Sequence, residues 1–306
     1  MIYKFYGPPG TGKTHKLISR AKAYVRIGTP LHKIGYFAFT KKAAGEAKKR
    51  MPAEDKKLIY FQTLHSLAFN LLKLNEEDVM QPYHYERFGK KLNVKVKYYD
   101  RYNKEESHFL TCDNPYFQLI HRAINRCVDV REEFDRGEHN TKEVDWPILQ
   151  HIKDNYEVFK DKKKLIDFND MIERLIEEKH KIPEFDVVFI DEAQDLSPLQ
   201  WKLYDVLKTK SKDIYLAGDD DQAIFAWAGA DVNRFIEEPA KEKVLKYSKR
   251  IARSIQEQSE ACVENIVGSR KDKKYYPRNY DGICEEIANL DQIDLSEGKW
   301  LILTRT

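Results

Sequence analysis

Two short stretches of this 306-residue chain combine residue types that could handle a phosphate. The first, Gly7-Pro8-Pro9-Gly10-Thr11-Gly12-Lys13-Thr14, fits G-x-x-x-x-G-K-[ST], with His15 directly after it. It lies between an apolar run and a helical pattern, the context in which loop amides and a helix N-terminus surround phosphate oxygens. There Lys13 would neutralise the β- and γ-phosphates of a nucleotide, and Thr14 would offer its hydroxyl to Mg²⁺. The second stretch, "VVFIDEAQDLS" (187–197), is an apolar strand ending in two acids. At the C-terminal edge of a parallel sheet, where such a loop also lies, Asp191 can hold the Mg²⁺ shell and Glu192 can orient and deprotonate water. Adjacent acids after a strand are otherwise a polar turn, but the upstream phosphate loop favours the catalytic reading.

A third stretch, "AGDDDQAIFAWAGAD" (217–231), sets Asp219, Asp220 and Asp221 close to Phe225 and Trp227. It reads either as a metal-side acidic cluster beside an exposed aromatic pair or as a turn leading into a core helix. Charge is unevenly spread around these stretches. Residues 1–60 carry 14 Lys/Arg against 3 Asp/Glu, whereas residues 181–240 carry 6 against 13. That asymmetry suits a polyanion on one side and a metal on the other.

The elements that must position these residues follow an alternating pattern. Strands are expected at 2–6, 34–39, 58–63, 186–191 and 213–218, and helices at 13–27, 41–51, 64–73 and 198–208, the last opened by Ser197-Pro198. Such alternation predicts an α/β fold with a largely parallel sheet. It fails between 76 and 164, too long a stretch for a loop, which predicts an inserted, mostly helical subdomain. Within it, residues 83–102 mix basic and aromatic side chains, with Lys95 and Lys97 on one face of a strand. This segment is either a DNA-contacting surface or a hairpin packed on its own tyrosines. After 243 the pattern resumes with "KVLKY", a helix at 249–267 and a strand at 299–304. The expected division is therefore 1–75 and 165–243 for one domain, 76–164 for the insertion, and 244–306 for the start of a second lobe. Hydrophobic residues make up 42% and charged residues 34%, no apolar run nears a membrane span, and the N-terminus lacks a secretory layout. Four cysteines without C-x-x-C spacing read as reduced thiols of a soluble, cytoplasmic protein.

The phosphate loop, then "DEAQD", then "GDDDQAIFAWAGAD" together resemble the UvrD/Rep-like helicases of superfamily 1. Further elements fall in that family's order: "FAFTKKAAGEA" (37–47), "TLHSLA" (63–68), "DFNDMI" (167–172) and "ILTRT" (302–306). The resemblance implies a RecA-like P-loop NTPase domain and an ATP- and Mg²⁺-dependent DNA helicase or translocase moving 3′ to 5′. Its partners would be single-stranded DNA and a duplex junction. It assigns Gln222 to the γ-phosphate and attacking water, and Phe225 and Trp227 to unpaired bases. Phe39, Thr40 and Lys41, and Thr63, His65 and Ser66, match elements that contact the strand. Arg250 in "YSKR" matches the arginine that reaches the γ-phosphate from the second lobe, but Lys249 stands where relatives have the adenine-stacking aromatic, with Tyr247 two residues away. Ala228 replaces a residue that is often basic. With the chain starting at its first strand, the family's upstream adenine-reading glutamine segment is not expected. A related DNA-tracking ATPase, or a DNA-binding module with weak hydrolysis, are the alternatives.

Overall fold

The computed structural model describes residues 1–96, 98–99, 111–112, 114–137, 144–287, 289 and 296. Before the insertion the chain runs β1 (Ile2–Tyr6), α1 (Lys13–Arg26), β2 (Ile34–Phe37), α2 (Lys41–Lys49), β3 (Phe61–Gln62) and α3 (Leu64–Leu71). The insertion holds α4 (Pro82–Lys91), the strands β4 (Tyr98–Tyr99) and β5 (Thr111–Cys112), α5 (Pro115–Arg126), α6 (Val130–Asp135) and α7 (Trp146–Lys163). Then follow α8 (Phe168–Glu177), β6 (Phe185–Ile190), α9 (Pro198–Thr209), β7 (Ser211–Gly218), α10 (Val232–Glu237), β8 (Lys241–Val244) and α11 (Arg253–Glu264).

Six strands form one parallel sheet in the order β3-β2-β6-β7-β1-β8. Its central strands are nearly continuous apolar runs because helices cover both faces. Phe5, Ile34, Tyr36, Val187 and Phe189 pack under Leu17 and Ile18 of α1 and Ala44 and Ala47 of α2. On the other face Tyr6, Phe37, Val188, Ile190 and Leu216 meet α3, α8 and α9. This order is what builds the site. β7 lies between β6 and β1, so the loops leaving β1, β6 and β7 emerge side by side at one edge.

The insertion has a core of its own, in which Tyr85, Phe88, Phe117, Ile120, Leu149, Ile152 and Tyr156 are buried. Its two ends are pinched together where the Met80 N–H donates to the Ile166 carbonyl (2.8 Å) and the Ile166 N–H to that of Asp78 (2.9 Å). Beside that neck the buried Lys160 ammonium of α7 meets Asp167 at 3.1 Å and Asp170 at 2.9 Å. Helix α5 also reaches out to α8 and α9, which ties the insertion to the sheet domain.

Three elements differ from expectation. The strand expected at 58–63 is only Phe61–Gln62, because Asp55–Lys57 makes a 3₁₀ turn and the Phe61 N–H turns back to the Leu58 carbonyl. The helix expected at 249–267 starts at Arg253. Residues before it bend against the phosphate loop, where the Lys249 N–H donates to the Gly10 carbonyl at 2.9 Å and the Arg250 and Ile251 N–H groups turn back to the Ser248 hydroxyl. "KVLKY" begins with the edge strand β8, paired to β1 of the first sheet. Lys97, the strand expected at 299–304 and "ILTRT" lie outside the described residues. Among the described residues no helix is long and apolar enough to cross a membrane.

Candidate nucleotide and DNA site

The phosphate loop leaves β1 with the Gly7 N–H bound to the Gly218 carbonyl at the end of β7 (3.0 Å). Gly10 and Gly12 take left-handed backbone angles, φ 73° and 89°, that disfavour any side chain. Gly10 has a second constraint: a Cβ there would lie 2.5 Å from the Arg250 Cβ. Pro8 and Pro9 stiffen the loop, the Thr11 hydroxyl donates to the Pro8 carbonyl (2.7 Å), and His15 is exposed in the first turn of α1. The Lys13 ammonium, buried, donates to the Gly7 carbonyl at 2.8 Å and lies 3.9 Å from Glu192.

Thr14 and Asp191 meet directly, the hydroxyl donating to Asp191 Oδ2 at 2.7 Å. The Tyr36 hydroxyl donates to the same oxygen at 2.9 Å. Burial, and next the charge of Glu192, push the Asp191 carboxyl up to about 6. A buried carboxylate held by two hydroxyls suits a divalent metal. Mg²⁺ in particular needs few protein ligands when phosphates and water complete its shell. Glu192 itself sits in the left-handed region at φ 55°, an unfavourable conformation for a non-glycine residue and one that recurs at functional sites.

The acids at 219–221 do not form an open metal cluster. Lys273 pairs with all three, at 2.9 Å to Asp219 and to Asp221, and Arg270 is bidentate on Asp221. Among the described residues, no group of three or more His, Cys, Asp or Glu side chains could hold a metal. The Gln222 amide donates to Asp219. Gln194 bridges the loops after β6 and β7: its carbonyl accepts the Asp219 N–H (3.0 Å), and its amide donates to Glu192 (3.1 Å) and Asp195 (2.9 Å). Asp195 is buried beside Glu192, and burial pushes its carboxyl up to about 7.

The aromatic stretch is a surface turn, not a core helix. Trp227 is 48% exposed, and its ring lies 6.4 Å from Phe225, which lies 5.0 Å from Phe39. Three rings from two loops thus form one patch. The turn under Trp227 is held by backbone bonds and by Asn125 of α5, whose amide donates to the Ala228 carbonyl (3.2 Å). Thr40 and Thr63 cap α2 and α3, each accepting from a backbone N–H at 3.1 Å, and Thr63 also donates to Ser66. Lys41 is exposed at the start of α2. His65 packs edge-on to Phe168, and burial holds its imidazole down to about 4, so it is neutral at pH 7. Arg250 is exposed next to Gly10, and the Ser248 hydroxyl donates to the Pro9 carbonyl (2.8 Å). Tyr247 stacks on Tyr276 with centroids 5.3 Å apart.

Tyr36, Gln194, Asn125 and Lys273 were missed from the sequence. Only Gln194 carried a signal there, its place inside "DEAQD".

A parallel sheet with a glycine-rich phosphate loop after β1 and a Thr–Asp couple beside it defines a RecA-like P-loop NTPase domain. Residues 4–243 match the UvrD/REP helicase N-terminal domain, and the chain belongs to that family. It is 26% identical to DNA helicase II of Haemophilus influenzae over 242 residues, which cover 73% of this chain and 32% of that protein. ATP-dependent DNA helicase PcrA of Staphylococcus epidermidis is 25% identical over 245 residues, 74% of this chain and 32% of PcrA. With DNA helicase II of Escherichia coli the identity is 25% over 292 residues, 89% of this chain and 39% of the relative. The chain spans about a third of the length of the first two.

Proposed function

We propose that this chain is the ATP-binding portion of an ATP-dependent DNA helicase or translocase that moves 3′ to 5′ along single-stranded DNA, near a duplex junction. The observation that carries the reading is that Gln222 and Trp227 occupy one short segment. Gln222 lines a pocket with Pro8 and Pro9 of the phosphate loop, whereas Trp227 is exposed in an aromatic patch. Base stacking on such a patch is sequence-tolerant and worth about 1–3 kcal/mol per base. A grip of that size can be made and released in each cycle.

In this reading Lys13 binds the β- and γ-phosphates. Thr14 and Asp191 hold Mg²⁺, which, when bound, neutralises phosphate charge. Glu192 orients the attacking water and takes its proton, Gln222 positions that water, and Arg250 reaches the γ-phosphate. Phe39, Thr40, Lys41, Thr63, His65, Phe225 and Trp227 form the DNA track. Glu192→Gln tests the assignment in the full-length protein: Mg-ATP should still bind, while hydrolysis slows by about 10²–10⁴. Unchanged hydrolysis would give the base to another residue, and Asp195 is then the next to replace. A strand-displacement assay separates unwinding from translocation alone.

A further inference from the structure

Opposite the phosphate loop lies an ion-pair hub that the proposed chemistry does not use. Lys273 is buried, its side chain 1% exposed, and it pairs with Asp219, Asp220 and Asp221 together. Arg270 adds two hydrogen bonds to Asp221 (3.0 and 3.1 Å), and the Lys271 N–H donates to Asp220 (2.7 Å). Three adjacent carboxylates repel one another, and an ammonium among them is their main local compensation. Removing one partner of such a buried set is strongly unfavourable.

The hub and Gln222 line one pocket with Pro8 and Pro9 of the phosphate loop. Asp219 is its common member: one carboxylate oxygen meets Lys273 and the other accepts from the Gln222 amide. The Asp219 oxygen is the acceptor in this bond, so Gln222 turns its NH₂ toward Asp219. Its carbonyl oxygen then points the other way, as an acceptor for a proton of water. The Asp219 N–H is in turn held by Gln194, whose amide reaches Glu192 at 3.1 Å. That link uses the Asp219 backbone, whereas Lys273 holds the Asp219 carboxylate.

We propose that Lys273 is a positioning residue for ATP hydrolysis: it holds the Asp219 carboxylate in place, which fixes the Gln222 amide with its carbonyl turned toward the attacking water. Arg270 supports it through Asp221. This rests on the reading of Gln222 given above. It also makes the segment that follows α11 part of the nucleotide site, although nothing in that segment need touch ATP.

The test uses the full-length protein with oligo-dT, measuring the kcat for ATP and, separately, equilibrium binding of a fluorescent non-hydrolysable ATP analogue with Mg²⁺. Lys273→Met should lower kcat by about 10–100-fold, the loss typical when an outer partner of a reacting group is removed. The analogue's dissociation constant should stay near wild type, and Lys273→Arg should recover most of the rate. In a Gln222→Ala background, Lys273→Met should cost nothing further. Additive losses in that double variant would overturn the proposal, as would a dissociation constant that rises in step with the fall in kcat. If Lys273→Met does not fold, Asp219→Asn tests the same link, because an amide no longer dictates which way Gln222 faces. It should lose kcat and show no further loss beside Gln222→Ala. Wild-type turnover in Gln222→Ala alone would instead sink the reading of Gln222. A normal Gln222 effect with additivity sinks only the role of Lys273.

Discussion

Replacing Trp227 by alanine separates a base-stacking surface residue from a core residue, and the structure sets the size of each effect. Truncating a fully buried tryptophan costs about 3–5 kcal/mol. With 48% of this residue already in water, the packing loss should be about half of that. The turn itself should survive, because its bonds are backbone ones: the Ala228 N–H donates to the Phe225 carbonyl (2.9 Å) and the Asp231 N–H to that of Leu196 (2.9 Å). The Asn125 bond ends on a carbonyl too, so it does not need the indole. Loss of one stacked base, about 1–3 kcal/mol, corresponds to a roughly 5–150-fold weaker grip on single strands. Fluorescence anisotropy with labelled oligo-dT measures that change, and a thermal melt of the same samples measures stability. ATPase stimulation by DNA should fall with the affinity, while basal hydrolysis should hold, since the Lys13, Thr14 and Asp191 contacts are untouched. Normal DNA affinity in a variant that melts much earlier would refute the reasoning and return Trp227 to the core.

Lys13→Ala should weaken Mg-ATP binding by roughly 10–150-fold, the value of about 1.5–3 kcal/mol for a hydrogen bond to a charged group. The fold should be retained, because the one protein hydrogen bond lost is to the Gly7 carbonyl; wild-type affinity in a titration would refute the assignment. Asp191→Asn should make the nucleotide-free protein more stable at pH 8. The Asp191 carboxyl is raised from 3.8 to about 6, so its contribution to stability is full below about pH 4 and lost as pH rises through 6. Removing the charge should therefore raise stability at pH 8 by up to about 3 kcal/mol, at about 1.4 kcal/mol for each tenfold change in acidity. The advantage should shrink toward pH 4, and Mg-ATP binding should weaken at pH 8. A variant destabilised equally at both pH values would contradict this, as melting curves across the range would reveal.

What could be read from the sequence was what is contiguous in it. The phosphate loop is eight residues in a row between a strand and a helix, and its glycines announce the backbone angles that Gly10 and Gly12 adopt. "DEAQD" is likewise a strand end with its acids attached. Apolar runs long enough for a doubly covered sheet predicted the parallel α/β fold, and β1, α1, α2 and α3 fell within a few residues of expectation. Short and tertiary-dependent elements did not. Residues 249–252 have helical composition, yet contact with the Gly10 loop and a turn closed on the Ser248 hydroxyl keep them out of the helix, and an edge pairing with β1 brings β8 into the first sheet.

The sequence by itself determined which residue types stand together as candidates for holding phosphate, metal and water, because each motif sets them over a few consecutive positions. Only the tertiary structure decided how those groups are tuned. Tyr36 finds Asp191 across 155 positions, and Lys273 finds Asp219 across 54. Both depend on which strands and segments lie side by side, a choice made by burial of the sheet's two faces and not by any local pattern. The same holds for Trp227. Its sequence setting allowed either a core or a surface residue, and the turn supported by α5 leaves about half of it in solvent, 48% exposed.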